Sequence, residues 1–327
     1  TRALTCKFNA QLSCGRVQTP TLAMIAVREK EIADFVPEEY YGLAAHTESV
    51  VFSWQDKVKG SCRSFQKEKM AGLEKKLDGQ ELKLQHIERK LKRTEAPLLY
   101  DLTSLQTEAN RLFGYSAKET LSIMQKLYET HKILTYPRTD SRYLTADIVP
   151  TIRERLSACG VGEYSRMAFE ASKRIKASKH FVDDAKVSDH HAIIPTEQFV
   201  DLRALSEKEH RIYDLVVRRF LAVLYPAYEY EQTTLQAEAA GELFIARGRV
   251  VRQQGWQAVY RQAAEDEESE LAEQTLPSLQ EGSSLKIERT RLTTGRTKPP
   301  AHFTEGTLLA AMENPAKFMT GESKELK

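Results

Sequence analysis

Strand-like periodicity occurs twice in this chain, before and after a long helical block, and neither occurrence holds enough strands to cover its own apolar face. From Tyr40 to Trp54 and from Gln80 to Arg93 the pattern is that of strands, as at Leu82 and Leu84 beside Lys83 and Gln85. Tyr228 to Glu238, Glu242 to Gln253 and Ser284 to Thr293 supply three further strand-like runs. Between Leu98 and Pro195 the spacing is helical, through Leu105, Ala109, Leu112 and Phe113, then a Ser116-x-x-Glu119 capping box leading into Leu121, Met124 and Leu127. Pairing the two strand blocks across the helical one into a single β-rich unit satisfies both, and makes the helical block an insertion. Thr19 and Pro20 read as the start of an opening helix. Ser206-x-x-Glu209 opens another that Pro226 stops, and Thr304 caps a last one. At 327 residues the chain exceeds a single core, so the expected class is α+β and multidomain.

Charge becomes informative only by position. The formal net charge is +2, but seven acids, Glu265, Asp266, Glu267, Glu268, Glu270, Glu273 and Glu281, fall in a stretch without Lys or Arg. Setting those seven aside leaves +9 on the rest. Basic residues gather from Lys83 to Arg93 and from Lys286 to Lys298, a footprint suited to a polyanion and equally to a solvated face. The acidic stretch reads as a surface loop that repels nucleic acid. No run approaches the roughly 20 apolar residues of a membrane span, and the start carries no apolar signal core. Cys6, Cys14, Cys62 and Cys159 show no Cys-x-x-Cys spacing, so reduced thiols in a cytoplasmic protein are expected.

Three stretches can carry chemistry. In Leu134 to Arg142, Tyr136 and Arg138 flank a proline that imposes an extended or turn conformation, so both side chains can face one neighbourhood. A tyrosine hydroxyl can attack phosphorus and be held as an ester, and a guanidinium neutralises the non-bridging oxygens. Asp140 and Ser141 would orient the arginine or cap the next helix, and the whole stretch also reads as a plain turn. In Val187 to Pro195, His190 and His191 read either as one buried and one exposed residue or as a phosphate contact; no third ligand at metal-site spacing lies near. In Leu12 to Pro20, a glycine turn delivers Arg16 and Gln18 to a helix N-terminus, which favours a phosphate oxygen.

With Pro97-Leu-Leu-Tyr-Asp-Leu-Thr-Ser-Leu-Gln106 and Lys298-Pro-Pro-Ala-His-Phe-Thr-Glu305, these stretches occur in an order that resembles the type IA DNA topoisomerases, their bacterial topoisomerase III branch most of all. The likeness runs over nearly the whole chain. It implies a toroidal enzyme that cuts one DNA strand through a 5′-phosphotyrosine, passes another strand and reseals the first, relaxing or decatenating DNA. On that resemblance Tyr136 is the nucleophile and Arg138 its electrostatic partner. His190, Arg16, Gln18, Asp140 and Ser141 form the DNA-binding set. The implied domains are residues 1–35 and 298–327 in a helical DNA-groove domain, 36–97 and 200–297 in a β-rich arch, and 98–199 in a helical domain bearing the tyrosine.

The departures also matter. The family carries an N-terminal Toprim unit with a glutamate and an Asp-x-Asp pair for Mg²⁺, and this chain has no Asp-x-Asp. The resemblance therefore implies a gate fragment without Toprim, inactive alone and binding no metal itself, with Mg²⁺ entering only in the complete enzyme. Single-stranded DNA is the expected partner, a helicase a candidate second one, and a membrane none; a monomer is expected. A non-catalytic single-strand DNA-binding module is the rival reading. A tyrosine recombinase fits less well, because it wants its histidines before the tyrosine, and here both follow Tyr136.

Overall fold

The computed structural model describes residues 2–9, 15, 17–260 and 273–313. In chain order they form α1 (Arg2–Phe8), α2 (Gln18–Ala33), β1 (Glu39–His46), β2 (Val51–Gln55), α3 (Lys67–Leu77), β3 (Glu81–Thr94), α4 (Leu102–Phe113) and α5 (Ala117–Glu129). There follow α6 (Ile152–Cys159), α7 (Ser165–Ser172), α8 (Glu207–Ala222), β4 (Tyr228–Ala239), β5 (Glu242–Gln253), β6 (Glu273–Gln274), β7 (Ser284–Lys286), β8 (Arg289–Arg296) and α9 (Glu305–Glu313). Two compact units result. One is Val36–Ala96 with Tyr225–Lys298; the other is Thr1–Phe35, Pro97–Leu224 and Pro299–Lys327.

Strands from both sides of the helical block interleave in one sheet of order β7-β3-β4-β5-β2-β1-β8, antiparallel throughout except where β6 runs parallel to β5. β7 and β8 lie at opposite ends of that order, yet only Ile287 and Glu288 separate them in the chain. Three Cα steps reach at most about 11 Å, whereas six flat strand spacings would part the edges by about 29 Å. The sheet must therefore curl until its edges approach at that end. Ile287 turns inward there, with its N–H on Gln80 O and the next N–H on His46 O. The interior is filled by Leu43, Phe52, Trp54, Leu82, Leu84, Leu235 and Phe244, and α3 adds Met70, Leu73 and Leu77.

This geometry corrects the expectation of one strand from Ser284 to Thr293: Ile287 is drawn into the core, and the chain breaks there into two strands with different partners. Helix α3 was not expected from the sequence. The acidic residues Glu265, Asp266, Glu267, Glu268 and Glu270 lie outside the described residues. Glu273 pairs with Arg249, and Glu281 accepts from the Ile87 N–H and contacts His86, so these two are structural rather than repellent.

Both ends of the β unit emerge in pairs. Thr94, last in β3, is the register partner of Tyr228, first in β4. Glu39 of β1 is likewise opposite Arg296 of β8, with the Thr297 N–H on Glu38 O.

In the helical unit the capping rules hold with two differences. Asp101 and Ser104 form a reciprocal capping box on α4, and Ser206 and Glu209 form one on α8. At α5 only half of the expected box exists: Ser116 accepts from the Glu119 N–H, while the Glu119 carboxylate is taken by Lys208. Helix α2 begins at Gln18, one residue before the expected cap, and Thr19 Oγ1 accepts from the Gly15 N–H instead. Helix α8 belongs with the helical unit rather than with the strands after it, because Arg218 ties it to Glu163, Asp214 accepts from the Tyr164 hydroxyl, and Arg219 ties it to Leu98 and Glu108. Among the described residues no helix is long and apolar enough to cross a membrane.

Two substitutions test the β unit. The β4–β5 hairpin turns on Ala240 and Gly241, at φ of 50° and 77°, a pair of left-handed residues in which alanine is strained. Ala240→Asn should raise stability by about 0.5–1 kcal/mol in urea unfolding. Gly255 has φ 50°, and a Cβ there would meet Ala227 O at 2.2 Å and Pro226 O at 2.4 Å. Gly255→Ala should lower stability by about 3 kcal/mol.

Candidate active site

The Tyr136 loop starts from a tight reversal. After α5 the chain turns at Lys132, a non-glycine residue at φ 58°, and the Ile133 N–H returns to Leu127 O. Leu134 then bridges Pro195 in antiparallel sense. Thr135 donates its N–H to Ile194 O at 3.0 Å, and its hydroxyl donates to Ala192 O and accepts from the Ile194 N–H. The next residue, Tyr136, precedes a proline and is kept extended.

Tyr136 is half-buried. Its ring meets Tyr128 edge-on at 5.5 Å and lies 4.5 Å from the His190 ring at a 45° tilt. Its hydroxyl makes no hydrogen bond among the described residues. Arg138, on the far side of buried Pro137, is exposed and likewise has no partner among them.

Side-chain bonds then lash the residues after Arg138 to the loop that carries the histidines. Thr139 Oγ1 donates to His190 O at 2.7 Å, Ser188 Oγ donates to Asp140 at 3.3 Å, and Ser141 Oγ donates to Lys186 O at 2.8 Å. Ser141 also accepts from the Tyr143 N–H. Neither Asp140 nor Ser141 caps a helix or contacts Arg138, contrary to both options the sequence suggested: the two are spent on holding the loops together. Lys186 donates to Tyr143 Oη at 3.1 Å and sits 4.2 Å above that ring, and the hydroxyl raises the lysine's pKa.

The two histidines separate in role. His190 is exposed beside Tyr136, whereas His191 is half-buried and donates its Nδ1–H to Ala192 O at 2.7 Å. Burial holds its pKa below the usual imidazole value, and Arg155 and His190 add to that. Arg155, itself buried, secures the end of the loop through Pro195 O and Glu197.

Of the residues singled out in the sequence, Tyr136, Asp140, Ser141 and His190 come together, and Arg138 projects from the same loop. Gln18 does not join them. It is the first residue of α2, exposed, and its side chain folds back toward Gly15. Arg16 lies outside the described residues. Sequence reasoning missed Thr135, Thr139 and Lys186, which organise the two loops. The two threonines flank the Tyr-Pro-Arg segment and could have been suspected as short-range donors, whereas nothing in the sequence marks Lys186. Among the described residues no three His, Cys, Asp or Glu side chains gather as a metal-ligand set.

A tyrosine hydroxyl and a guanidinium without partners among the described residues, beside an imidazole, suit attack on a phosphodiester. A family model described as DNA topoisomerase matches residues 1–316. The chain belongs to the bacterial type IA DNA topoisomerases. It is 56% identical over its full length to DNA topoisomerase 3 of Bacillus cereus (strain ATCC 14579) and 55% identical to that of Bacillus subtilis (strain 168). It spans 45% of the length of each. Full-length topoisomerase I of Thermotoga maritima has a similar fold, with TM-score 0.70 and 24% identity over 94% of this chain and 50% of that one.

His191 makes the fold acid-sensitive within this family frame. Its folded pKa lies below its unfolded value of about 6.5, so the stability it supports is complete above that pH and is lost as pH falls through the folded value. Urea midpoints should therefore drop between pH 7.5 and 5.5. The drop should shrink in His191→Asn, which keeps a donor for Ala192 O.

Proposed function

We propose that this chain is the strand-cleaving gate portion of a type IA DNA topoisomerase, with Tyr136 as the nucleophile. The observation that carries the reading is the half-buried Tyr136, whose hydroxyl is unengaged, against the His190 ring and two residues from the unpaired Arg138. Tyr136 Oη attacks the phosphorus of a single-stranded phosphodiester and loses its proton. The 3′ oxygen departs with the electron pair of the broken P–O bond and takes up a proton, leaving the 5′ end esterified to the tyrosine. Reversal reseals the strand. Arg138 neutralises the non-bridging oxygens as charge gathers on them. His190 holds a neighbouring phosphate, and Asp140 and Ser141 serve the DNA contact by fixing the loop.

The wider reading assigns residues 1–35 and 298–327 to a DNA-groove domain, 36–97 and the strands that follow α8, up to residue 297, to the arch, and 98–199 together with α8 to the gate. Arg16 and Gln18 contact the strand. Mg²⁺ acts in the complete enzyme through a Toprim unit, and a helicase is a candidate partner. The activity would relax or decatenate DNA.

In the full-length protein with Mg²⁺, a cut single strand should become covalently attached, and Tyr136→Phe should abolish the adduct while binding persists, since phenylalanine keeps the ring contacts. Arg138→Ala should slow adduct formation by about 10²–10³-fold. Tyr143→Phe should leave it intact, because that hydroxyl is already engaged by Lys186. DNA binding without any adduct in the unmodified protein would favour a non-catalytic single-strand binding module. An adduct lost in Tyr143→Phe and kept in Tyr136→Phe would move the nucleophile.

Binding offers a separate check. The chain should prefer single-stranded to duplex DNA, with affinity falling as salt rises. Equal affinity for both across a salt series would contradict it.

A further inference from the structure

We propose that Arg219, held by Glu108, is a positioning residue for the Tyr136 and His190 pair, acting through the segment Pro97 to Leu102. The inference rests on the reading of Tyr136 as nucleophile and extends it to a buried group that no sequence motif marked.

The segment from Pro97 to Leu102 touches both functional loops by its backbone. Tyr100 O accepts the Ile193 N–H at 2.8 Å, three residues from His190, and Tyr100 and Ile193 form an antiparallel bridge. Two residues on, the Leu102 N–H donates to Thr139 O at 3.1 Å, and the Thr139 side chain in turn bonds His190 O. Arg142, from the tyrosine loop itself, reaches back to Leu99 O with its Nε–H at 3.1 Å. The segment is thus a splint between the loop that carries Tyr136 and the loop that carries His190.

A splint of coil would sag if nothing fixed it from behind. Arg219 of α8 does so with one planar fork: Nη1 donates to Leu98 O at 3.0 Å, and Nη2 donates to Tyr100 Oη at 2.8 Å and to Glu108 of α4 at 2.7 Å. Its guanidinium carbon lies 4.1 Å from the Tyr100 ring centroid. Arg219 and Tyr100 are both buried, at 7% and 1% exposure, so no solvent contact replaces these bonds once broken. Lysine cannot substitute, because a single ammonium has neither the flat face for Tyr100 nor the two-pronged reach. Capped by its Asp101 box, α4 presents Glu108 as a rigid counter-charge, so the arginine is itself held in place.

The reaction needs Tyr136 Oη in line with a phosphorus whose charge is balanced by groups on a different loop, and displacement by about 1 Å can slow such a step about 100-fold. Arg219 touches no reacting atom. Its effect therefore falls on the rate of cleavage at saturating DNA, and little on DNA affinity.

The test compares the unmodified full-length protein with Arg219→Lys and with Tyr100→Phe, which removes one hydroxyl and keeps the packing. Adduct formation is timed on a single-stranded oligonucleotide at saturating concentration with Mg²⁺, well below each variant's Tm, and Kd is measured for the same oligonucleotide. Adduct formation should slow about 100-fold in Arg219→Lys and about tenfold in Tyr100→Phe, with Kd changed by no more than about twofold. Unaltered rates in both variants, with or without a lowered Tm, would make Arg219 merely structural and overturn the proposal. So would a loss of affinity as large as the loss of rate. Absence of any adduct in the unmodified protein would instead overturn the phosphotyrosine reading on which this one rests.

Discussion

The backbone pairing of residues 192–195 is the constraint on which the candidate site depends. Three stretches converge on it and on the adjoining Thr196: Tyr100 on Ile193, Ile133 to Thr135 on Ala192, Ile194 and Thr196, and Tyr143, whose carbonyl takes the Ala192 N–H. A short apolar strip, Ala192 to Ile194, is buried by this convergence. The side chains beyond it, His190 above all, are consequently left at the surface beside Tyr136. Burial of the strip and exposure of the reactive groups are two results of one arrangement, since the pairing that hides Ile193 and Ile194 also fixes where the loop must emerge.

A comparable economy governs the β unit. Two residues of link between β7 and β8 force the curl, the curl creates an interior, and Ile287 of the link itself helps to fill it. At its other end the ribbon of β3, β4 and β5 continues past that interior. Lys90 and Lys92 of β3 and Val250 and Val251 of β5 are exposed there, and in β3 and β5 the alternation of buried and exposed residues seen over the interior is lost. Cross-strand pairs such as Arg252 with Glu231, and Arg249 over the Tyr230 ring, join the backbone ladder in holding those rows.

Much of this was legible in the sequence, for physical reasons that can be named. Period-two alternation marks β3, β4 and β5 because each has one face on the interior, and the box at Ser206 follows from the few residues able to satisfy a helix's first N–H groups. Tyr136, Arg138 and His190 stand out because their residue types and order resemble a family. What stayed hidden depends on tertiary placement. Ile287 looks like any apolar residue in a strand until the sheet's two edges meet around it. Helix α3 is half lysine and glutamate, and only Met70, Leu73 and Leu77 betray its buried face. Arg219 lies in α8 between Val217, Arg218, Phe220 and Leu221, an apolar setting that hints at burial, but nothing in the sequence names its partners Leu98, Tyr100 and Glu108. Local chemistry offers Asp140 and Ser141 as partners of the arginine or as caps, yet the loop they hold, through Ser188 and Lys186, lies 48 and 45 residues away in the chain.

The pairing of Thr94 with Tyr228 has a consequence for what such a sheet can carry. Seen from the sheet, β3 and β4 are an ordinary hairpin, and residues 95–227, the α4 to α8 segment, occupy the place of its loop. Closing a flexible loop of that length instead of a four-residue turn would cost only about 3 kcal/mol more, because the entropy grows with the logarithm of length. A folded insert whose own ends lie close together would cost less still. A hairpin can therefore accept a helical insert in place of its loop without loss of register, and the sheet needs no redesign to carry it.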